Sequence, residues 1–281
     1  MSDRATTADE RNENRLGAAP AGMVQRVLVD AHVHLYPCFD RGGFLQAAAE
    51  HARVAGAVLP WLLFTETARD FAFRALAEDP PAGWAAERHP DRRTLTLAST
   101  AGQQVMVTAG RQIQTVEGLE LLALGSDELI PDGTPLREAF RLALEAQALP
   151  VVPWGFGKWV GRRGRILAAF LASPDAHQLF LGDNGGRPWF WPTPRMFAKV
   201  DTAGRRVLPG SDPLPFPAHQ ARAGSYGLLI DAPVDHDRPF EQLVSRLINK
   251  SFPASPFGQL AGGLTFLRDQ ATMQMIKRTR R

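Results

Sequence analysis

Short apolar runs alternate with amphipathic stretches along most of this chain, which is the pattern of strands followed by helices. The predicted strands are residues 27–33, 57–64, 119–124, 150–154, 177–183, 206–212 and 225–231. The predicted helices are residues 44–54, 65–77, 135–148, 163–172, 194–200 and 241–248, followed by a helical C-terminal segment. Thr65 is the expected N-cap of the second helix. Residues 95–114 break the alternation with apolar runs around a turn, and they predict a hairpin or meander.

Strands that alternate with helices predict an α/β fold built on a parallel sheet. Six or seven such units in 281 residues favour a barrel over an open sheet. We expect a disordered leader over residues 1–22, one barrel domain over 23–270 and a basic tail over 271–281.

Polar residues follow four of the predicted strands at the point where each strand ends. These strand ends read DAHVH (30–34), WGFGK (154–158), GDNGGR (182–187) and GSDP (210–213). The active site of an α/β barrel gathers at the carboxyl ends of its strands. The sequence therefore predicts one polar site that the four segments share.

The segment VLVDAHVH (27–34) carries the sharpest chemical signal. Alternate residues of a strand point to one face, so Asp30, His32 and His34 are expected to align. Two imidazoles at this spacing can chelate one divalent ion, and Asp30 could orient a ligand. The alternative is a pair of ordinary histidines at a strand end.

Three carboxylates are candidates to complete a metal site. Asp212 follows an apolar strand beside Gly210, although an Asp before a proline also starts turns. Asp183 lies in Asp-Asn-Gly-Gly, which is equally a turn sequence. Glu66 follows the second strand and could face the same site. The alternative, a glutamate in the first turn of the next helix that is stabilised by the helix dipole, is the favoured interpretation.

Cations and glycines alternate in the segment VVPWGFGKWVGRRGR (151–165), which carries Lys158 and three arginines. Such a loop suits an anionic group, and the alternative is a solvated basic loop. Arg187 beside Asp183 adds to the anion-binding interpretation. Four tryptophans, at positions 154, 159, 189 and 191, help to locate the pocket. The chain has no P-loop, nucleophile-elbow or dinucleotide-binding pattern.

Composition narrows the class of protein. The chain has 32 Lys and Arg against 29 Asp and Glu, a net charge of +3. Four of these cations, Lys277, Arg278, Arg280 and Arg281, lie in the tail, so the body is nearly neutral. This distribution favours a small anionic ligand over nucleic acid. Cys38 is the single cysteine, which excludes an internal disulfide. With no apolar run near the roughly 18 residues of a membrane span, we expect a cytoplasmic protein without a membrane partner; the oligomeric state stays open.

DAHVH on the first strand and GSD on a late strand resemble the polymerase-and-histidinol-phosphatase (PHP) family of metal-dependent phosphoesterases. The resemblance implies a distorted TIM-like (β/α)7 barrel, with His32, His34 and Asp212 as metal ligands. Other family positions differ: Gln112 stands in place of a glutamate and Thr65-Glu66 in place of Asp-His. These differences predict a mononuclear site for zinc or manganese, with Asp183 or Glu66 completing the shell. The alternative is a site rebuilt with Glu66, Glu117, Glu120 or Asp183.

The resulting hypothesis is a metal-dependent hydrolase of the phosphoesterase class, acting on a small anionic substrate through an activated water. Asp183 is the candidate general base, and Lys158 and Arg187 are expected to hold the substrate and stabilise developing charge. The alternative is a barrel that has lost catalysis and acts as a binding or scaffold protein.

Overall fold

The computed structural model describes residues 24–202 and 204–279, so the leader predicted over 1–22 lies outside the described residues. The strands are β1 (Val24–Val33), β2 (Leu59–Phe64), β3 (Trp84–Arg88), β4 (Thr94–Ser99), β5 (Gln104–Thr108), β6 (Gly110–Gln114), β7 (Glu120–Leu124), β8 (Leu149–Pro153), β9 (Phe180–Asn184), β10 (Val207–Gly210), β11 (Tyr226–Pro233) and β12 (Ala254–Gly258). The α-helices are α1 (Arg41–Val54), α2 (Ala72–Glu78), α3 (Leu136–Glu145), α4 (Gly161–Leu171), α5 (Arg195–Thr202), α6 (Pro239–Ile248) and α7 (Gly263–Thr279).

The strands form two mixed sheets. The first sheet has seven strands in the order β12-β11-β1-β2-β5-β4-β3, and the second has five in the order β10-β9-β8-β7-β6. β1 runs parallel to β2, and β2 runs parallel to β5. β8, β9 and β10 are likewise parallel to one another, whereas β6, β7 and β8 are antiparallel.

Neither sheet closes into a barrel within the described residues, so the predicted TIM-like (β/α)7 barrel of PHP type is wrong. One reason is that strands β3 to β7 follow each other without an intervening α-helix, which produces antiparallel pairs. A second reason is the pairing of the strands. β1 lies between β11 and β2, and β2 lies between β1 and β5, so neither β1 nor β2 pairs in a ladder with a strand of the second sheet.

Single backbone hydrogen bonds nevertheless link the two sheets. Asp212 N donates to His32 O over 2.8 Å, which places the segment after β10 beside β1. Glu66 N donates to Gly110 O over 3.0 Å, and Gln112 N donates to Glu66 O over 2.8 Å. These contacts bring the ends of β1, β2, β6 and β10 together, and that meeting point positions the site.

Several local predictions need correction. The second helix begins at Ala72 and not at residue 65. Thr65 directly follows β2, and both its backbone N and its hydroxyl donate to Val33 O, over 2.9 and 3.1 Å, so it caps no helix. The hairpin predicted within 95–114 is confirmed as β4 and β5, but β6 departs to the other sheet. Strands β3 and β12 were not predicted. The tail expected from residue 271 is helical as far as Thr279.

The core lies between the sheets and under the helices. Apolar side chains of β1 and β2 in the first sheet pack with those of β7, β8 and β9 in the second; examples are Val29, Trp61, Leu122, Val151 and Phe180. A second cluster joins the five-stranded sheet to α3, α4 and α5, and a third joins the seven-stranded sheet to α1 and α2. None of the helices in the described part of the chain combines the length and apolar composition that a membrane span requires.

Candidate metal centre

Three predicted ligands come together at the ends of β1 and β10. The Nε2 atoms of His32 and His34 lie 3.3 Å apart. The Oδ1 atom of Asp212 lies 3.5 Å from the first of these atoms and 3.6 Å from the second. Within the described residues, these three side chains form the group of donors that could hold a metal ion.

The separations between the donor atoms fit one small ion. Ligand atoms about 2.0–2.1 Å from a tetrahedrally coordinated zinc ion lie about 3.3–3.4 Å from each other. The observed separations of 3.3 to 3.6 Å among the Nε2 atoms and the carboxylate are close to this value. Lone pairs aimed at a common point repel one another unless a proton or a cation lies between them. The donor set therefore fits a divalent metal ion.

Gln112 brings a fourth donor atom, an amide oxygen, to the same point. Its Oε1 atom lies 3.3 Å from His32 Nε2. The side chain arrives on β6, which belongs to the other sheet. The resemblance to the PHP family predicts a glutamate ligand where this chain has Gln112, but the amide oxygen of a glutamine can also face a cation. Only the crossing of β6 between the sheets brings this residue to the histidines.

Asp30 joins the two segments that carry the ligands. Its Oδ1 atom accepts hydrogen bonds from Ser211 N at 2.9 Å and from His32 N at 3.3 Å, while Oδ2 accepts from Gly224 N at 2.9 Å. Burial raises the pKa of Asp30 to about 6, although these donors act in the opposite direction. Asp30 thus fixes the backbone around the ligands and makes no hydrogen bond to either imidazole.

Asn184 holds the metal-binding carboxylate in place. Its Nδ2 group donates to Asp212 Oδ2, and its Oδ1 atom accepts from Gly186 N at 2.6 Å. Asp212 itself has φ of 44°, a left-handed conformation that a non-glycine residue adopts only when its surroundings enforce it. Because Asn184 fixes one oxygen, Oδ1 is directed to the histidines.

The protonation states favour metal binding. Burial lowers the pKa of His34 to about 4, and the neighbouring charge on His32 adds to this effect. Burial alone would raise the pKa of Asp212, but His32, His34 and the hydrogen bond from Asn184 outweigh it and lower that pKa. At neutral pH His34 is therefore an unprotonated imidazole and Asp212 is a carboxylate, which are the forms that bind metals.

Further polar side chains surround the three ligands. Lys158 and Glu120 form an ion pair, and their charges influence Asp212 and His34 respectively. The ring of Tyr36 stacks on His34, with centroids 5.3 Å apart. The sequence identified Lys158 as an anion-binding residue and named Glu120 only as one alternative ligand. It gave no signal for Tyr36.

Asp183 and Arg187 lie in a buried network of their own. Arg187 donates to both oxygens of Asp183 through Nε and Nη2, each at 2.8 Å. Tyr226 adds a hydrogen bond from its hydroxyl to Asp183 Oδ2 at 2.8 Å. Asp183 is predicted to act as a base and Arg187 to hold substrate, but each group is already paired with the other.

Glu66 also has a partner away from the three ligands. It forms a buried ion pair with Arg111 at 3.3 Å and accepts a hydrogen bond from Phe73 N at 2.6 Å. Its carboxylate is absent from the described group of metal donors, although Glu66 is one of the two residues predicted to complete the shell. Glu117, another alternative, accepts hydrogen bonds from Leu136 N at the start of α3.

No protein-family model matches this chain, and no curated protein matches it. Among solved structures, the crystal structure of PsfC from Pseudomonas syringae PB-5123 is similar, with a TM-score of 0.54 over 90% of this chain and 99% of that chain. The two sequences are 12% identical, so the likeness concerns the fold alone. The resemblance to the PHP family stays a prediction carried by residues 30–34 and 210–212.

Proposed function

We propose that this protein is a metal-dependent hydrolase that binds one divalent ion through His32, His34 and Asp212 and cleaves a small anionic substrate, most simply a phosphoester. The convergence of three donor atoms, from His32, His34 and Asp212, within 4.8 Å of one another is the observation that carries the proposal. A set of two imidazoles and one carboxylate is typical of catalytic zinc sites that keep a position free for substrate or water. Manganese is the alternative ion.

A bound divalent ion would supply Lewis acidity and would lower the pKa of a coordinated water molecule. The residues of the chain have separate tasks. His32 and His34 present Nε2 atoms from one strand, and Asn184 holds Asp212 so that one oxygen faces them. Gln112 brings an amide oxygen to the same point. The fold thus directs these donor atoms to one point.

Glu120 is better placed than Asp183 to accept a proton from the attacking water. Both oxygens of Asp183 already accept hydrogen bonds from Arg187. Glu120 instead has a lysine partner and is close enough to His34 to influence the pKa of that histidine. Lys158, released from Glu120 when substrate binds, would pair with the anionic group of the substrate.

Metal analysis tests the proposal most directly. Purified protein dialysed against zinc or manganese is expected to hold about one ion per chain by elemental analysis, and His32→Ala and Asp212→Ala are expected to abolish stoichiometric binding. His177→Ala, at an exposed histidine outside the site, is the matched control. Full metal content in His32→Ala would contradict the proposal. Stoichiometric iron in place of zinc or manganese would point to oxygen chemistry, since the same donors also suit iron.

Hydrolysis is tested on phenyl phosphate with the metal-loaded protein. We expect turnover by the wild-type protein, and we expect a chelator that removes the ion to abolish it. The Glu120→Gln variant is expected to keep its metal and to lose most of kcat. If Asp183 were the base, Asp183→Asn would shift the pH–rate profile instead.

The second candidate function is a metal-binding protein without catalysis. The paired state of Asp183 and Arg187 favours it, because two of the three predicted catalytic side chains already satisfy each other. Stoichiometric metal together with no turnover on a panel of phosphomonoesters and phosphodiesters would support this candidate over the hydrolase.

A further inference from the structure

A pocket of about 410 Å³ opens beside the candidate metal centre. Its volume is in the range of small-molecule sites. Apolar side chains form most of its wall and three charged residues complete it; the lining residues that matter here are Tyr36, Phe39, Arg41, Arg69, Asp70 and Phe71. None of the three metal ligands lines the pocket, so it is a compartment next to the ligands and not the metal site itself.

Tyr36 is the wall that the pocket shares with the metal centre. Its ring stacks on the imidazole of His34 with an interplanar angle of 23°, and Phe39 meets the ring edge-on at 5.6 Å. Asp70 also lines the pocket, and its charge influences the pKa of His34. Tyr36 therefore lies between the pocket and the imidazole of His34, and a compound held at the metal ligands would have to reach past this ring to enter the pocket.

The part of the wall formed by Asp70 and Phe71 contacts a buried arginine. The guanidinium of buried Arg111 lies 5.0 Å from the centroid of the Phe71 ring, and its Nη1 donates to Asp70 O at 2.8 Å. Arg111 is in turn paired with buried Glu66. The residues between β2 and α2 are thus fixed in shape, and Phe71 presents a preformed aromatic face although 41% of it is exposed.

The charges in the pocket leave one cation available. Arg41 is occupied by Asp79, through its carboxylate at 2.9 Å and its carbonyl at 2.7 Å. Asp70 accepts a hydrogen bond from the Thr67 hydroxyl at 2.6 Å. Within residues 24–202 and 204–279, the guanidinium of Arg69 has neither an ion pair nor a hydrogen-bond acceptor, and it is exposed. A guanidinium beside aromatic rings is suited to a flat compound that carries a carboxylate.

We infer that this pocket binds the organic part of the substrate, an aromatic or similarly flat body whose own carboxylate pairs with Arg69 while the group to be cleaved lies at His32, His34 and Asp212. The inference rests on the proposed function, and it adds the substrate class: an aryl ester of phosphate that carries a second anionic group. The pocket then favours a substrate with two anionic ends and an apolar middle.

The test compares phenyl phosphate with 4-carboxyphenyl phosphate on the metal-loaded full chain. The wild-type protein is expected to have a KM about tenfold lower for the carboxylated compound, because one charge-assisted hydrogen-bonded pair strengthens binding by about that factor. Arg69→Ala is expected to remove this preference by raising KM for the carboxylated compound about tenfold, and Arg69→Lys is expected to restore part of it. Arg53→Ala, at an exposed arginine on α1 outside the pocket, is the matched control.

A binding measurement separates this inference from the proposed function. Calorimetry with 4-hydroxybenzoate and with phenol on metal-free protein needs no catalysis. Binding of 4-hydroxybenzoate that weakens about tenfold in Arg69→Ala and also weakens in Phe71→Ala would support the pocket even if the protein hydrolysed nothing. Hydrolysis without a carboxylate preference, or a preference that Arg69→Ala leaves intact, would overturn the pocket while the hydrolase stands. Absence of 4-hydroxybenzoate binding to the wild-type protein would also overturn it.

Discussion

Gly210 packs directly against the backbone of His32. A Cβ atom at position 210 would lie 2.8 Å from His32 Cα and nearer still to its Cβ, so the site has room for a hydrogen atom and not for a methyl group. This close approach allows Asp212, two residues further along, to reach the Nε2 atoms of the histidines. A glycine is therefore required here by packing, although its φ is not in the left-handed region.

Gly210→Ala is predicted to weaken metal binding about tenfold or more, because β10 must move away from β1 and carries Asp212 with it. The overpacking itself is expected to lower the free energy of unfolding by about 1–3 kcal/mol. Isothermal titration with zinc and urea unfolding of the metal-free protein measure the two effects. Gly42→Ala, where a Cβ would meet only ordinary contacts in α1, is the control. Unchanged zinc affinity in Gly210→Ala would show that the approach of the two strands does not set the site.

Asn184→Ala is predicted to reduce metal affinity about 10- to 100-fold without loss of stoichiometry at saturating metal. The reason is that Asp212 loses the amide donor that holds Oδ2, and its carboxylate can then rotate. Competition with a chromogenic chelator gives the affinity. Asn249→Ala, at an exposed asparagine outside the site, controls for a general effect of the substitution. A variant that binds metal as tightly as the wild type would remove Asn184 from the site.

Glu66→Gln tests whether this carboxylate is a ligand or a structural group. We predict a loss of about 3 kcal/mol in the free energy of unfolding, because buried Arg111 loses its charged partner. Metal stoichiometry is predicted to stay at the wild-type value. Denaturant unfolding and elemental analysis measure the two quantities. Arg26→Met, which breaks the exposed pair with Asp231, is the control and should have little effect on stability.

The opposite result for Glu66 would be a folded protein of normal stability that has lost its ion. That result would restore Glu66 as a ligand and would require the loop between β2 and α2 to rearrange on metal binding.

His34 is predicted to make the metal-free protein less stable in acid. Its pKa is about 4 in the folded chain against 6.5 for an ordinary histidine, so the unfolded chain binds the proton more tightly. Stability from this group is complete above pH 6.5 and is lost as pH falls from about 6.5 towards about 4. At pH 5 the loss is about 2 kcal/mol relative to pH 7, from about 1.4 kcal/mol for each unit of pKa difference.

Urea unfolding of metal-free protein at pH 7 and pH 5 checks this prediction. The difference between the two values is expected to shrink by about 2 kcal/mol in His34→Gln, and to stay as in the wild type in His177→Gln. An equal pH dependence in wild type and His34→Gln would mean that His34 titrates at its ordinary value. Zinc added in excess should steepen the wild-type profile, because zinc binds only unprotonated imidazoles and the stabilisation that it adds therefore falls as pH falls.

The convergence of His32, His34 and Asp212 was predictable from the sequence because its signals are local. Alternate residues of a strand share a face, so His32 and His34 had to point the same way once 27–33 was recognised as a strand. Asp212 follows an apolar strand and a glycine, which places a carboxylate at a strand end. The β4–β5 hairpin was visible for the same reason, since a turn between two apolar runs is a short-range pattern.

The ion pairs of Glu66 and Asp183 were not predictable: Glu66 takes its partner Arg111 from a distant part of the chain, and Asp183 meets Arg187, four residues further on, only because the chain turns after β9. Glu66 and Asp183 look alike in sequence: each is an acidic residue after an apolar strand. In the folded chain Glu66 forms an ion pair with Arg111, and Asp183 forms one with Arg187. Gln112 appears in sequence as a ligand lost from a family pattern, yet it lies 3.3 Å from His32 Nε2.

The sequence by itself therefore determined which residues share a strand face and which strand ends are polar, because both follow from backbone geometry over a few residues. Only the tertiary structure decided the order and direction of the strands. β11, β1, β2 and β5 are neighbours in one sheet, and β10 to β6 form another, so two mixed sheets form in place of a barrel. Strand pairing depends on contacts between segments as far apart as Val24 and Pro233, which no local pattern encodes. The same long-range pairing places Gln112 beside His32 and pairs Glu66 with Arg111, away from the three candidate ligands.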